Sequence, residues 1–182
     1  MARSLVCAWA AALMLPVAAG AAAKPATGAA SKPLSGAEVS RRLADALVCK
    51  GDAAEAVYGL VDRGSDFNAG YAAHGFGEGT SYRAVAVLRD ALVVAGAKAN
   101  AVVSEMENSN PDFRAFTYAQ FDGDYRQAVK LLKLQEAKPF NDASIGRYVS
   151  QQPKATTCPQ TIGLTPIDDK HFLLGCGWCN GG

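Results

Sequence analysis

Between Tyr82 and Phe121 the sequence alternates at every second residue, and no other feature limits the possible folds as strongly. Tyr82, Ala84, Ala86 and Leu88 interleave with Arg83, Val85 and Val87. Phe113, Ala115, Thr117, Ala119 and Phe121 interleave with Arg114, Phe116, Tyr118 and Gln120. Side chains of a strand point alternately to its two faces, so these stretches predict strands with one face buried. LVVAG and AKANAVVSEME lie between them, and Asn108-Ser-Asn-Pro111 supplies a turn before the last strand. An antiparallel meander follows.

Ahead of the meander the period changes to that of a helix. Ser35-Gly-Ala-Glu38 has the form of a capping box, in which the hydroxyl accepts from the Glu38 amide and the carboxylate reaches back. Val39, Leu43, Ala46 and Leu47 recur behind it at helical spacing, which predicts a helix over 36–49. Gly51 breaks the chain, and Asp52 with Glu55 starts a second helix carrying Val57, Leu60 and Val61 and stopping at Gly64. The two make an N-terminal αα-hairpin with Cys49 at its corner. After the meander, Tyr125, Ala128, Val129 and Leu132 predict a packing helix over 124–135, with Asp122 and Asp124 serving turn and cap. Arg147-Tyr-Val-Ser150 is a short strand candidate, and TIGLT from Thr161 faces HFLLGC from His171 across the turn Pro166-Ile-Asp-Asp-Lys170. This tail reads as a module of separate texture, a C-terminal hairpin tied by disulfides. The expected class is α+β.

The first residues, MARSLVCAWAAALMLPVAAGAAA, place one basic residue before an apolar run and end in small residues, the layout of a secretory signal peptide over 1–23. Cys7 lies inside the apolar run and leaves with it. Residues 24–33, small, polar and Pro-containing, read as a flexible arm, and 34–182 as a single domain. No later segment has the ~18 apolar residues of a membrane span, so no transmembrane segment is expected after cleavage. The expected location is periplasmic or secreted.

The chain carries 18 Lys and Arg against 17 Asp and Glu, and loss of Arg3 with the leader equalises them. Balanced charge with no basic stripe gives no pull on nucleic acid, so none is expected as partner. Catalytic signatures are missing as well: there is no GxSxG and no HExxH, and no cofactor is expected.

Loss of the leader leaves Cys49, Cys158, Cys176 and Cys179, an even number in a chain bound for an oxidising compartment. Two structural disulfides is the preferred reading, with all three pairings open. Four thiolates can also close a zinc site, but Cys49 and Cys158 form no Cys-x-x-Cys knuckle, and His74 and His171 stand apart from each other and from any acidic ligand cluster, so no metal is expected. Cys176-Gly-Trp-Cys179 resembles the redox centre of thioredoxin-like proteins. That resemblance implies thiol–disulfide exchange through Cys176 and Cys179. In that family a helix follows the first cysteine and lowers its pKa, whereas only Asn180-Gly-Gly follows here.

The stretch GSDFNAGYAAHGFGEGT, 64–80, holds five glycines in seventeen residues and reads as a surface loop. Its Phe67, Tyr71, His74 and Phe76, with Glu78 between two glycines, and Trp178 between two cysteines, are the candidate binding contacts. The element order, two helices and then a meander, is similar to that of small envelope proteins of the outer-membrane assembly and β-lactamase-inhibitor families. That similarity implies a non-catalytic role towards a protein partner in the cell envelope, as inhibitor, immunity or accessory protein. The competing expectation is the oxidoreductase.

Overall fold

The computed structural model describes residues 33–78, 81–109, 112–137, 146–150 and 160–180, with the backbone alone at 78, 108–109, 112–114 and 178–180. Within them the chain forms α1 (Gly36–Leu47), α2 (Glu55–Arg63), β1 (Tyr71–Glu78), β2 (Ser81–Val94), β3 (Ala97–Ser109) and β4 (Asp112–Asp122). α3 (Tyr125–Leu131), β5 (Gln135–Glu136), β6 (Tyr148–Val149), β7 (Thr161–Pro166) and β8 (His171–Asn180) follow. The strands make one antiparallel sheet in the order β1-β2-β3-β4-β8-β7-β6-β5, so the fold is mixed α+β built on a meander.

Local chemistry explains the helix ends. The Glu38 amide donates to Ser35 Oγ at 3.2 Å, while the Glu38 carboxylate turns to Arg42 at 2.6 Å instead of closing the box. Cys49 ends α1 in the left-handed region at φ +56°, and the Glu55 amide donates to Asp52 Oδ1 at 3.0 Å. Asp124 accepts from the Arg126 amide. α3 is shorter than its periodicity predicts because Lys133, at φ +53°, turns the chain towards β5.

All three helices contribute to one core against the same face of the sheet. Val39, Leu43 and Leu47 of α1, Val57 and Leu60 of α2 and Ala128 of α3 share a cluster with Ala84, Ala86, Leu88 and Leu92 of β2, Phe121 of β4 and Phe172 and Leu174 of β8. Phe121 and Phe172 are register partners, with ring centroids 5.5 Å apart and no exposure. Along β3 the buried positions switch from Ala97 and Ala99 to Val102 and Ser104. That change of parity is accommodated where the register with both neighbours shifts. Val94 and Ala97 are joined by Ala95 and Gly96, both at positive φ, as a two-residue hairpin turn demands.

Two expectations are corrected. The glycine-dense stretch contains a strand: Tyr71–Glu78 pairs along its whole length with β2. Gly75 serves packing there, since a β-carbon would overlap Tyr82 Oη and come within 3.0 Å of Val61 Cγ1. The tail is no separate module either, because β8 lies between β4 and β7 in the interior of the sheet. It pairs with β4 from Phe113–Asn180 to Asp122–His171. Sequence periodicity carries no information about such a non-local pairing.

Candidate functional site

The sheet's second face bears no described helix. Register places its residues in rows across the strands: Phe76, Arg83, Glu105, Phe116 and Gly177 in one, and His74, Val85, Val103, Tyr118, Gly175 and Gly163 in the next. Glycine from β7 and β8 makes the floor where these rows reach those strands. A β-carbon on Gly175 would stand 2.6 Å from both Cα and Cβ of Tyr118, so only glycine admits the close approach of β4 and β8. Above this floor lies a groove of about 460 Å³ bounded by Phe116, Tyr118, Gly163, Thr165, Leu173 and Gly175. Its size falls in the range of ordinary ligand and side-chain pockets. Phe116 also borders a second hollow of about 290 Å³ with Phe76, Arg83 and Glu105.

One polar network crosses the two hollows. Tyr118 Oη donates to Glu105 Oε1 at 2.9 Å, and Arg83 Nε meets the same oxygen at 2.5 Å. Burial pushes the Tyr118 phenol up, and the adjacent Glu105 carboxylate adds to the shift. The tyrosine therefore stays a neutral donor at physiological pH. The network sets a neutral hydroxyl, a carboxylate and a guanidinium beside apolar walls, a combination common in ligand pockets.

The sequence-predicted contacts divide. His74 and Phe76 lie on this face, exposed, with ring centroids 6.0 Å apart and the Arg83 guanidinium 5.9 Å from the Phe76 ring. Phe67 is carried on the turn before β1 and is 78 % exposed. Tyr71 is in the core at 4 % exposure, where burial pushes its phenol up. Glu78 ends β1 opposite Ser81, and Trp178 stands opposite Ala115 in the β4–β8 register. Phe116, Tyr118 and Leu173 were not among the candidates. The signal for the first two was present in β4, whose second alternating set, Arg114, Phe116, Tyr118 and Gln120, is itself half aromatic.

Cys49 and Cys176 form a disulfide with Cα atoms 5.1 Å apart, tying the end of α1 to β8. Cys176 is 1 % exposed. Cys158 lies outside the described residues. Cys179 is opposite Arg114, three residues along an extended strand from Cys176, a span of roughly 10 Å. Bridging requires Cα atoms within about 7 Å. A local Cys176–Cys179 bond therefore demands that β8 leave its ladder.

His171 has two acidic neighbours. Its Nδ1 is 2.8 Å from Asp168 Oδ2 and its Nε2 is 3.7 Å from Asp122 Oδ1. The hydrogen bond from His171, with the Lys170 and His171 amides, holds the Asp168 carboxyl below its usual range. These bonds lock the β7–β8 turn. Among the described residues no group of three or more His, Cys, Asp or Glu is placed to hold a metal. None of the described helices is long and apolar enough to cross a membrane. No protein-family model, curated protein or solved structure matches the chain.

Proposed function

We propose that this chain is an exported, non-catalytic binding domain whose sheet face opposite the three described helices engages a protein partner in the periplasm or outside the cell. The observation that carries this reading is the groove over Gly163 and Gly175, walled by Phe116, Tyr118 and Leu173. Apolar exposure on the same face supports the same reading: Phe76 is 44 %, Val87 50 % and Leu173 37 % exposed. Aromatic walls around a hollow that accepts one partner side chain are the usual makings of an interface centre. The signal peptide over 1–23, the arm over 24–33 and the domain over 34–182, with its helical N-terminal hairpin and tied C-terminal hairpin, belong to this proposal. The Cys49–Cys176 bond is weakly supportive of export. The partner class is an envelope protein that the domain inhibits, neutralises or helps to assemble.

Leu173→Asp tests the proposal, because it places a carboxylate in the groove at an exposed position. Capture of one defined envelope protein by the wild-type domain, lost on substitution with an unchanged melting temperature, is the expected result. Equal capture by both proteins contradicts it. Thiol–disulfide exchange through Cys176 and Cys179 is the second reading. Weighing against it are the covered position of Cys176, its bond to Cys49 and the extended spacing to Cys179. It requires turnover of a dithiol substrate that disappears in Cys179→Ala.

A further inference from the structure

Among the described residues β1 is an edge strand, and its outer edge is treated differently along its length. Tyr71 exchanges backbone hydrogen bonds with Asp66, whose amide and carbonyl each meet it at 3.1 Å. At Ala73 the Ser65 hydroxyl accepts from the amide at 3.0 Å and donates to the carbonyl at 3.3 Å. The first half of the edge is thus closed by the chain itself. Hydrogen-bonding directions alternate along a strand, so Gly75 and Gly77 present their amides and carbonyls to the same side as Tyr71 and Ala73. No described residue takes up those groups.

The open stretch is His74-Gly75-Phe76-Gly77-Glu78, symmetric about Phe76 in everything but the charge type of its ends. We infer that two copies of this chain pair through this stretch, antiparallel about a two-fold axis at Phe76, to make one sheet continuous across both. In that register Gly75 bonds with Gly77 of the second copy, and Gly77 with its Gly75, using the outward groups of both. Phe76 faces Phe76 of the second copy as a non-hydrogen-bonded pair, the closer of the two kinds, with β-carbons about 5 Å apart. An imidazole at each His74 stands opposite an acid at Glu78 of the other chain. Glycine on both sides of Phe76 leaves no side chain beside the two-fold, and the Phe76 ring is 44 % exposed on the face where it would meet its copy. Pairing extends no further, because Ser65 holds Ala73. This interface uses an edge, not the groove, and does not rest on the proposed partner.

Sedimentation velocity of the purified protein across a concentration series tests it. Wild type is expected to shift reversibly from monomer to dimer. Phe76→Asp and Phe76→Lys are each expected to remain monomeric, since like charges meet at the two-fold, and an equal mixture of the two is expected to dimerise. Away from the axis, His74→Glu is expected to weaken the dimer about tenfold by placing like charges opposite each other twice, and Glu78→Lys in the same chain to restore it. A wild type that stays monomeric overturns the inference and leaves the edge to a strand of another protein, with the groove proposal untouched. A dimer that survives Phe76→Asp, or a mixture that does not pair while both variants melt like wild type, overturns it equally.

Discussion

Removing the Cys49–Cys176 bridge in a Cys49→Ala/Cys176→Ala variant is expected to cost this fold a large part of its stability. The bond joins residues 127 positions apart in sequence, so it forbids the unfolded chain most of its long-range freedom. The chain-entropy relation for a loop of that length gives about 5 kcal/mol at room temperature, and native bridges usually contribute about 2–5 kcal/mol. A typical domain has only about 5–15 kcal/mol in total. In the folded state the bond also seats the α1–α2 corner on the sheet, where Cys176 packs with Ala46 and Ala53. Urea unfolding followed by far-ultraviolet circular dichroism separates these effects. The variant should show a lower midpoint and a steeper dependence on urea, because an unbridged denatured chain exposes more surface. A loss below about 1 kcal/mol with an unchanged slope would refute the argument that this bridge constrains the unfolded chain.

Three other substitutions or conditions probe separate parts of the account. Gly175→Ala forces a β-carbon to within 2.6 Å of Tyr118 Cα and should destabilise by roughly 2–4 kcal/mol in the same urea assay, where a cost under about 1 kcal/mol would show that β4 and β8 can move apart. Thr117→Val removes a hydroxyl that donates to the Ala53 carbonyl at 3.0 Å and meets Ser104 Oγ at 2.8 Å; it should cost about 1–3 kcal/mol, and adding Ser104→Ala should recover part of it. Burial pushes the phenols of Tyr58, Tyr71 and Tyr118 above the ordinary value of 10.0. Their contribution is complete below the unfolded value and is lost as pH rises through the folded ones, so the melting temperature should fall above about pH 10 and be insensitive to these groups below it.

Much of the fold is written locally. The capping residues Ser35, Asp52 and Asp124 act where the sequence puts them, because a side chain that satisfies a free amide needs only its near neighbours. β2, β3 and β4 follow from alternation, since each buries one face against helices. β1 was hidden by its glycines, which signal loops when read alone but serve here to let Tyr82 and Val61 pack over the strand. The interior position of β8 and the choice of Cys176 as partner for Cys49 are tertiary facts, settled by a pairing between segments far apart in sequence. The candidate site was half legible. His74 and Phe76 stood out by composition, while Phe116, Tyr118 and Leu173 become neighbours only through the β4–β8 register. Tyr71 shares the composition of its neighbours but points into the core, since one step along a strand reverses the face.

The claim that the sheet face opposite the described helices is the binding surface is tested most directly by site-specific photo-crosslinking in the producing cell. One probe replaces Leu173 in the groove, and another replaces Leu131, a residue of α3 that is 56 % exposed. The account predicts a discrete adduct with one envelope protein from position 173 and none from position 131. No adduct from 173, or the same adduct from both positions, would contradict it.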